Sequence, residues 1–193
     1  MMRRESGRMS DTATPSGDAS AAGIARVQEV GPLGMIMLRF KNGFEDIDSI
    51  LKNAVDCDLP GRRLMQRSGH RAVAWMSLDE YLLILPREEV DATLAALSVA
   101  LAGHHHLAAD VSDARAMFRV TGPASREVIA RLAPVDLERM MPAEVRRTRL
   151  AQVAAAIWAE EGGYTVVTFR SVAAYASDLL ANAAATGPHR NGT

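Results

Sequence analysis

Apolar residues fall into short runs separated by turn residues, and these runs predict an alternation of strands and helices. Residues 33–40, 71–76 and 81–85 are apolar runs of strand length, and Pro86 ends the third of them. Between the first two runs, apolar positions at helical spacing predict a helix over about 43–55. A second stripe at helical spacing predicts another helix that buries Val90, Leu94, Leu97 and Leu101.

A further strand over 107–112 completes the order strand, helix, strand, strand, helix, strand. This is the order of a ferredoxin-like βαββαβ unit. The pattern then begins again with a strand and helix over 110–133, joined by a turn at 121–123. Pro134 ends that helix because proline cannot continue it.

The rest of the chain predicts a second half of similar order. Residues 145–160 form a strand-like, alanine-rich run that is too long for one straight strand, so we expect it to be bent or broken. A strand over 164–169 follows, and then a last helix with Ser171 as N-cap and Tyr175 facing inward. The predicted fold class is therefore α+β, with two ferredoxin-like halves in one domain.

The domain boundaries follow from composition. Residues 1–24 are rich in Ser, Thr, Gly, Asp and Ala and contain no apolar signal-peptide core, so they predict a disordered tail. Residues 25–186 predict the folded domain, with halves at about 25–112 and 113–186. Residues 187–193 predict a frayed C-terminal tail.

Composition restricts the classes of function. Of the 193 residues, 48% are hydrophobic but only 5% aromatic, so the core must use aliphatic residues, with the ten methionines filling gaps. A net charge of −1 offers no electrostatic footprint for nucleic acid. No apolar run reaches the roughly 18 residues that a membrane helix needs, so we expect no membrane partner.

The single cysteine, Cys57, excludes an internal disulfide and a cysteine-based zinc site and fits a reducing, cytoplasmic location. Its acidic neighbours, Asp56 and Asp58, disfavour a thiolate. Adjacent residues of a strand alternate between faces, so His104, His105 and His106 cannot all reach one metal ion. We therefore expect no metal site.

Arginine clusters are the other candidate features. They could face an acidic partner or an anionic ligand, or they could be solvated loops and strand edges. Arg147 and Arg149 would share one face of a strand and form a small positive ridge. The clusters comprise Arg62, Arg63, Arg67 and Arg71, and Arg146, Arg147 and Arg149.

Catalytic motifs are missing from the pattern. Turn and capping roles account for Asp110 and Asp113. Gly31–Gly34 lacks the spacing and lysine of a phosphate-binding loop, and no Gly-x-Ser-x-Gly elbow occurs. We expect no catalytic residue, and a binding or subunit role.

Five stretches in order resemble the gamma subunit of heterotetrameric sarcosine oxidase. Residues 75–86, WMSLDEYLLILP, resemble that family's W-x-x-P-D-E-W-L-L-L-x-P, with Leu78 and Tyr81 in place of the usual Pro and Trp. The remaining stretches are 134–137, 147–151 and 169–175, together with the D-x-S-x-x-R…G-P positions Asp110, Ser112, Arg115, Gly122 and Pro123.

The resemblance implies a role in a complex that oxidatively demethylates sarcosine to glycine, with oxygen as acceptor and hydrogen peroxide as product. Tetrahydrofolate takes up the one-carbon unit as methylenetetrahydrofolate. The implied partners are alpha, beta and delta subunits, and FAD, FMN, NAD, tetrahydrofolate and zinc belong to those other chains. The implied fold is that of the folate-binding domain of aminomethyltransferases, the glycine-cleavage T-protein group.

That relation singles out Asp136, which falls near the folate-contacting Asp of aminomethyltransferases, as a weak candidate for folate binding. Residues 150–158, however, lack those enzymes' N-x-x-G-G-x-x-D-D segment. Three hypotheses follow: a non-catalytic subunit packed on the folate-binding alpha subunit, a free-standing folate-binding protein or assembly factor, and a binding module for another flavoprotein.

Overall fold

The computed structural model describes residues 25–41 and 46–186, which form two antiparallel five-stranded sheets and four α-helices. The helices are α1 Ile47–Val55, α2 Val90–Ala100, α3 Ser125–Leu132 and α4 Ala173–Ala185. The strands are β1 Arg26–Val30, β2 Gly34–Phe40, β3 Met65–Ser68, β4 Arg71–Ser77, β5 Glu80–Leu85, β6 His106–Asp110, β7 Arg115–Thr121, β8 Val145–Leu150, β9 Val153–Glu160 and β10 Gly163–Phe169.

The first sheet has the order β3-β4-β5-β2-β6. Without β3 it is the ferredoxin-like arrangement, in which the first strand lies between the third and the fourth. Leu51 of α1 and Leu97 of α2 pack with Leu83 on the outer face of this sheet. The prediction of a ferredoxin-like first half is confirmed.

The second sheet has the order β1-β7-β10-β9-β8, and α3 and α4 cover its outer face. It repeats the arrangement with one change: β1, from the N-terminal end of the domain, lies where the fourth strand should be. Val27 of β1 is paired with Val120 of β7. The second unit is thus a ferredoxin-like unit whose last strand comes first in the chain.

Consequently the two sheets do not coincide with the predicted halves. The boundary near 112 and 113 remains a prediction, but β1 joins the sheet of the second half. Neither β1 nor β3 was predicted as a strand. Both are short, and only Val27 in β1 and Met65 in β3 are buried, so they have almost no periodic signal.

A methionine-rich layer fills the space between the sheets. The fold therefore has four layers, helices–sheet–sheet–helices, and Trp158 is the one large aromatic side chain among the buried residues of the central layer. Flexible methionine side chains fill the gaps between the alanine, valine, leucine and isoleucine side chains of the two sheets. The buried methionines of this layer are Met35, Met65, Met76 and Met117.

Three details of the sequence prediction change. The run 145–160 is broken as expected, by a hairpin at 151–152 where Ala151 has φ 49°. Ser171 is not an N-cap, because a 3-10 turn, Arg170–Val172, precedes α4. Tyr175 is 42% exposed rather than inward, since α4 packs closely through Ala173, Ala176, Leu180, Ala183 and Ala184.

Residues 1–24, the start of the predicted first helix at 43–45, and residues 187–193 lie outside the described residues.

Candidate functional site

Asp136 lies in the irregular segment between α3 and β8, with its side chain 54% exposed. Its Oδ1 accepts hydrogen bonds from the backbone N–H groups of Glu138, at 3.1 Å, and Arg139, at 3.3 Å. Its Oδ2 lies 3.6 Å from Nε of Arg139. The carboxylate therefore stabilises its own turn, the usual role of Asp in such a loop.

Asp110 and Ser112 stabilise the connection between the two sheets. The backbone N–H of Met35 donates to Oγ of Ser112 at 2.9 Å, and that of Ser112 donates to Oδ1 of Asp110 at 2.8 Å. The hydrogen bonds from Ser112 lower the pKa of Asp110. The predicted turn role of Asp110 is confirmed, and the D-x-S pair of the family pattern is structural.

The first arginine cluster forms ion pairs within the chain. Arg67 pairs with Glu160 at 2.5 Å, and Arg71 forms two hydrogen bonds with Glu89. A third member, Arg63, pairs with Glu144, whose side chain is only 3% exposed. These pairs connect β3 and β4 to neighbouring segments, so for these arginines the structural interpretation is correct.

The central layer has two polar ends. At one end, Glu160 accepts a hydrogen bond from Nε1 of Trp158 at 2.7 Å and from Oγ1 of Thr165 at 3.3 Å. Arg67 pairs with the same carboxylate, and Nη2 of Arg119 lies 3.9 Å away. Glu160 therefore interacts with four polar side chains. We call this end the closed end, because its carboxylate is fully used by groups of the same chain.

The opposite end is basic, and we call it the arginine surface: Arg115, Arg147, Arg149, Phe169 and Glu80. Met117, Val145 and Val167 face the central layer, and strand alternation therefore places Arg115, Arg147, Arg149 and Phe169 on the same side of the second sheet. The predicted ridge of Arg147 and Arg149 is part of this surface.

Contacts within the arginine surface are few and long. Nη1 of Arg147 lies 3.5 Å from both the carbonyl oxygen of Met76 and Oε2 of Glu80. The Arg115 guanidinium carbon lies 4.1 Å from the centre of the Phe169 ring, a distance that suits a cation–π contact. Burial lowers the pKa of Arg115, an effect that the charge of Glu80 opposes and that of Arg147 reinforces.

In the sequence, Arg115 and Phe169 stand out only as positions of the family pattern, and no motif connects them with Arg147. Alternation within each strand could have indicated the shared face, but the pairing of β10 with both β7 and β9 was needed to bring these residues together.

The remaining sequence candidates have ordinary environments. His104 and His105 are exposed, and Nδ1 of His106 lies 2.9 Å from the carbonyl oxygen of His104. Cys57 is buried, and burial, followed by the charge of Asp56, raises the pKa of its thiol. Within the described residues, no cluster of three or more His, Cys, Asp or Glu side chains could hold a metal ion. Across that same part of the chain, no helix is both long and apolar enough to cross a membrane.

Solved structures share this architecture. The heterotetrameric sarcosine oxidase from Corynebacterium sp. U-96, in complex with pyrrole 2-carboxylate, matches with a TM-score of 0.76 and 24% identity, over 86% of this chain and 87% of that chain. The glycine cleavage system aminomethyltransferase T from Bartonella henselae matches with a TM-score of 0.62 and 13% identity, over 82% of this chain and 45% of that chain. At these identities the likeness establishes the fold alone.

The family assignment comes from the sequence. No curated protein matches the chain. The family model described as "Sarcosine oxidase, gamma subunit family" matches residues 45–186, which is more than half of the chain. The family pattern noted at residues 75–86, 110–123 and 169–175 lies within that match. The chain therefore belongs to the sarcosine oxidase gamma subunit family.

Proposed function

We propose that this protein is the non-catalytic gamma subunit of a heterotetrameric sarcosine oxidase, packed on the folate-binding alpha subunit in the cytoplasm. The family match over residues 45–186 is the observation that carries the proposal. The complex would oxidise sarcosine to glycine and hydrogen peroxide and transfer the one-carbon unit to tetrahydrofolate. The alpha, beta and delta chains would supply FAD, FMN, NAD, zinc and the folate site.

The contacts of the acidic side chains support a structural role for this chain. A general acid or base must be able to reach a substrate, and the carboxylates discussed above are already bound by their own chain. Asp110 accepts from Ser112, Asp136 from its own turn, Glu160 from three polar side chains, and Glu144 is buried against two arginines.

Co-expression with the alpha, beta and delta chains tests the proposal. We expect this chain to co-elute with them on gel filtration, in a peak that shows flavin absorbance and sarcosine-dependent peroxide production. A chain that elutes alone as a stable monomer, while the other three assemble without it, would contradict the proposal.

The alternative is a free-standing folate-binding protein of the aminomethyltransferase type, and the fit of Asp136 to that role is poor. Its Oδ1 is already occupied by two backbone N–H groups of its own turn. We therefore expect calorimetry of the lone chain with tetrahydrofolate to show no binding. Heat of binding that Asp136→Asn removes would favour the alternative.

A further inference from the structure

The two polar ends of the central layer differ in how completely their charges are neutralised. At the closed end, two arginines share Glu160, which also accepts bonds from Trp158 and Thr165. At the arginine surface, Glu80 pairs with Arg147 and its charge also acts on Arg115, whereas Arg149 lies outside its ion-pair distance. Arg39, paired with Glu80 across β2 and β5, is itself neutralised by Asp79 at 2.5 Å. The arginine surface thus keeps an excess of two positive charges, whereas the closed end keeps one.

The positions of the three arginines show where a counter-charge is missing. Arg147 reaches Glu80 only at 3.5 Å, and Arg115 lies over the Phe169 ring. Across the described part of the chain, no carboxylate lies within ion-pair distance of Arg149, which is exposed. The net charge of the whole chain is −1, so the positive charge of the arginine surface is a local feature.

Apolar side chains are exposed beside these charges. Phe169 is 43% exposed, and Leu78, at the tip of the β4–β5 hairpin two residues before Glu80, is 65% exposed. Aromatic side chains and arginine are enriched at protein–protein interfaces. A free anion would satisfy the arginines but would leave both apolar side chains in water, whereas a peptide segment can cover both kinds of group.

We propose that the arginine surface is the docking site for an acidic, partly apolar segment of another subunit of the oxidase. Carboxylates of that segment pair with Arg147 and Arg149, and an apolar side chain packs on Phe169. This inference rests on the proposed function, because it names the chemistry of the partner that the gamma subunit meets.

Removal of the two exposed positive charges tests the docking site in the assembled complex. The variant R147Q/R149Q is compared with R126Q/R139Q, which removes the same charge from exposed arginines of α3 and the following segment. Each is co-expressed with the other subunits, and its dissociation from the complex is measured at about 0.05 M and about 0.5 M NaCl.

We expect R147Q/R149Q to bind roughly tenfold more weakly at low salt and to show little dependence on salt. Wild-type protein and R126Q/R139Q should bind alike and weaken together as salt increases. Arg149→Glu alone, at a side chain with no ion pair to lose, should weaken binding at least as much and should keep the wild-type melting temperature.

Three results would overturn the inference. If R147Q/R149Q assembles with wild-type affinity and salt dependence, the docking site is wrong while the subunit role stands. The same conclusion follows if R147Q/R149Q only self-associates, because Arg147 and Arg149 of the wild-type protein would then protect the free edge of β8 from pairing with another copy. If wild-type protein does not associate with the other subunits at either salt concentration, both proposals fail.

Discussion

Glu144 shows how single side chains hold the two sheets together. It is 3% exposed, it forms a β-bridge with Leu64, and it pairs with Arg63 near β3 and with Arg146 of β8. Its Oε2 accepts a hydrogen bond from the backbone N–H of Met141 at 2.9 Å. One buried carboxylate therefore pairs with two arginines that the sequence alone offered as candidates for binding a partner.

We expect Glu144→Gln to lower the free energy of unfolding by about 2 kcal/mol, because two partly buried guanidinium groups lose their counter-charge. Urea denaturation of the purified chain measures the change. Glu138→Gln is the matched control, since Glu138 is 84% exposed and its ion pair with Arg126 is at the surface; the expected change there is within about 0.5 kcal/mol. Equal stability of the two variants would show that Glu144 does not hold the sheets together.

At the scale of elements, the pairing of β7 with β10 fixes the second sheet. Gly163 begins β10 opposite Thr121, and a Cβ at this position would lie 2.0 Å from the carbonyl oxygen of Val120. No rotation of a side chain can relieve a clash between Cβ and backbone, so the two strands would have to separate. Position 163, at the start of β10, therefore requires glycine, because any side chain there would clash with the backbone of β7.

We expect Gly163→Ala to destabilise the chain by about 3 kcal/mol, which corresponds to a fall of roughly 9 °C in Tm for a domain of this size. Gly61→Ala serves as the control, because a Cβ there would make only an ordinary contact, 3.5 Å from Cδ1 of Leu64. Thermal melting followed by circular dichroism distinguishes them. A Tm for Gly163→Ala equal to that of Gly61→Ala would rule out the close approach of β7 and β10.

At the scale of the whole molecule, the chain crosses between the two units twice. β1 enters the second sheet, the chain then builds the first sheet, and β7 returns to pair with β1. The β-bridge between Leu64 and Glu144 joins the sheets again, next to the starts of β3 and β8. We infer that the second unit is incomplete without β1, which precedes the first unit in the chain, whereas the strands of the first sheet come from one continuous stretch.

We expect Val27→Asp to disrupt the whole domain by about 3 kcal/mol or more, because it places an unpaired carboxylate in the core under α4. Exposure of the β7 edge should also promote aggregation, which gel filtration detects. Gln28→Asp introduces the same residue at the next position of β1, which is exposed, and it should leave the melting temperature almost unchanged. If both variants melt and elute alike, β1 does not contribute to the folded domain.

Local sequence patterns are enough to predict the class and order of most elements. Periodicity located β2, β4, β5, β10 and all four helices, and the proline at 134 ended α3, because these signals are local in the chain. The ordered set of family patterns pointed to the sarcosine oxidase gamma subunit family before any tertiary contact was known. Short strands with one buried side chain, β1 and β3, carried too little pattern to be recognised.

Which strands pair, and which arginines find a close counter-charge, depends on contacts between segments that are distant in the chain. The partner of β1 lies about ninety residues away in β7, and no local pattern encodes a pairing over that distance. Arg67 and Arg147 look alike in sequence, each in a basic stretch. They differ because strand packing places Arg67 at 2.5 Å from Glu160, whereas Arg147 reaches Glu80 only at 3.5 Å. Among the described residues, Arg149 has no carboxylate within ion-pair distance.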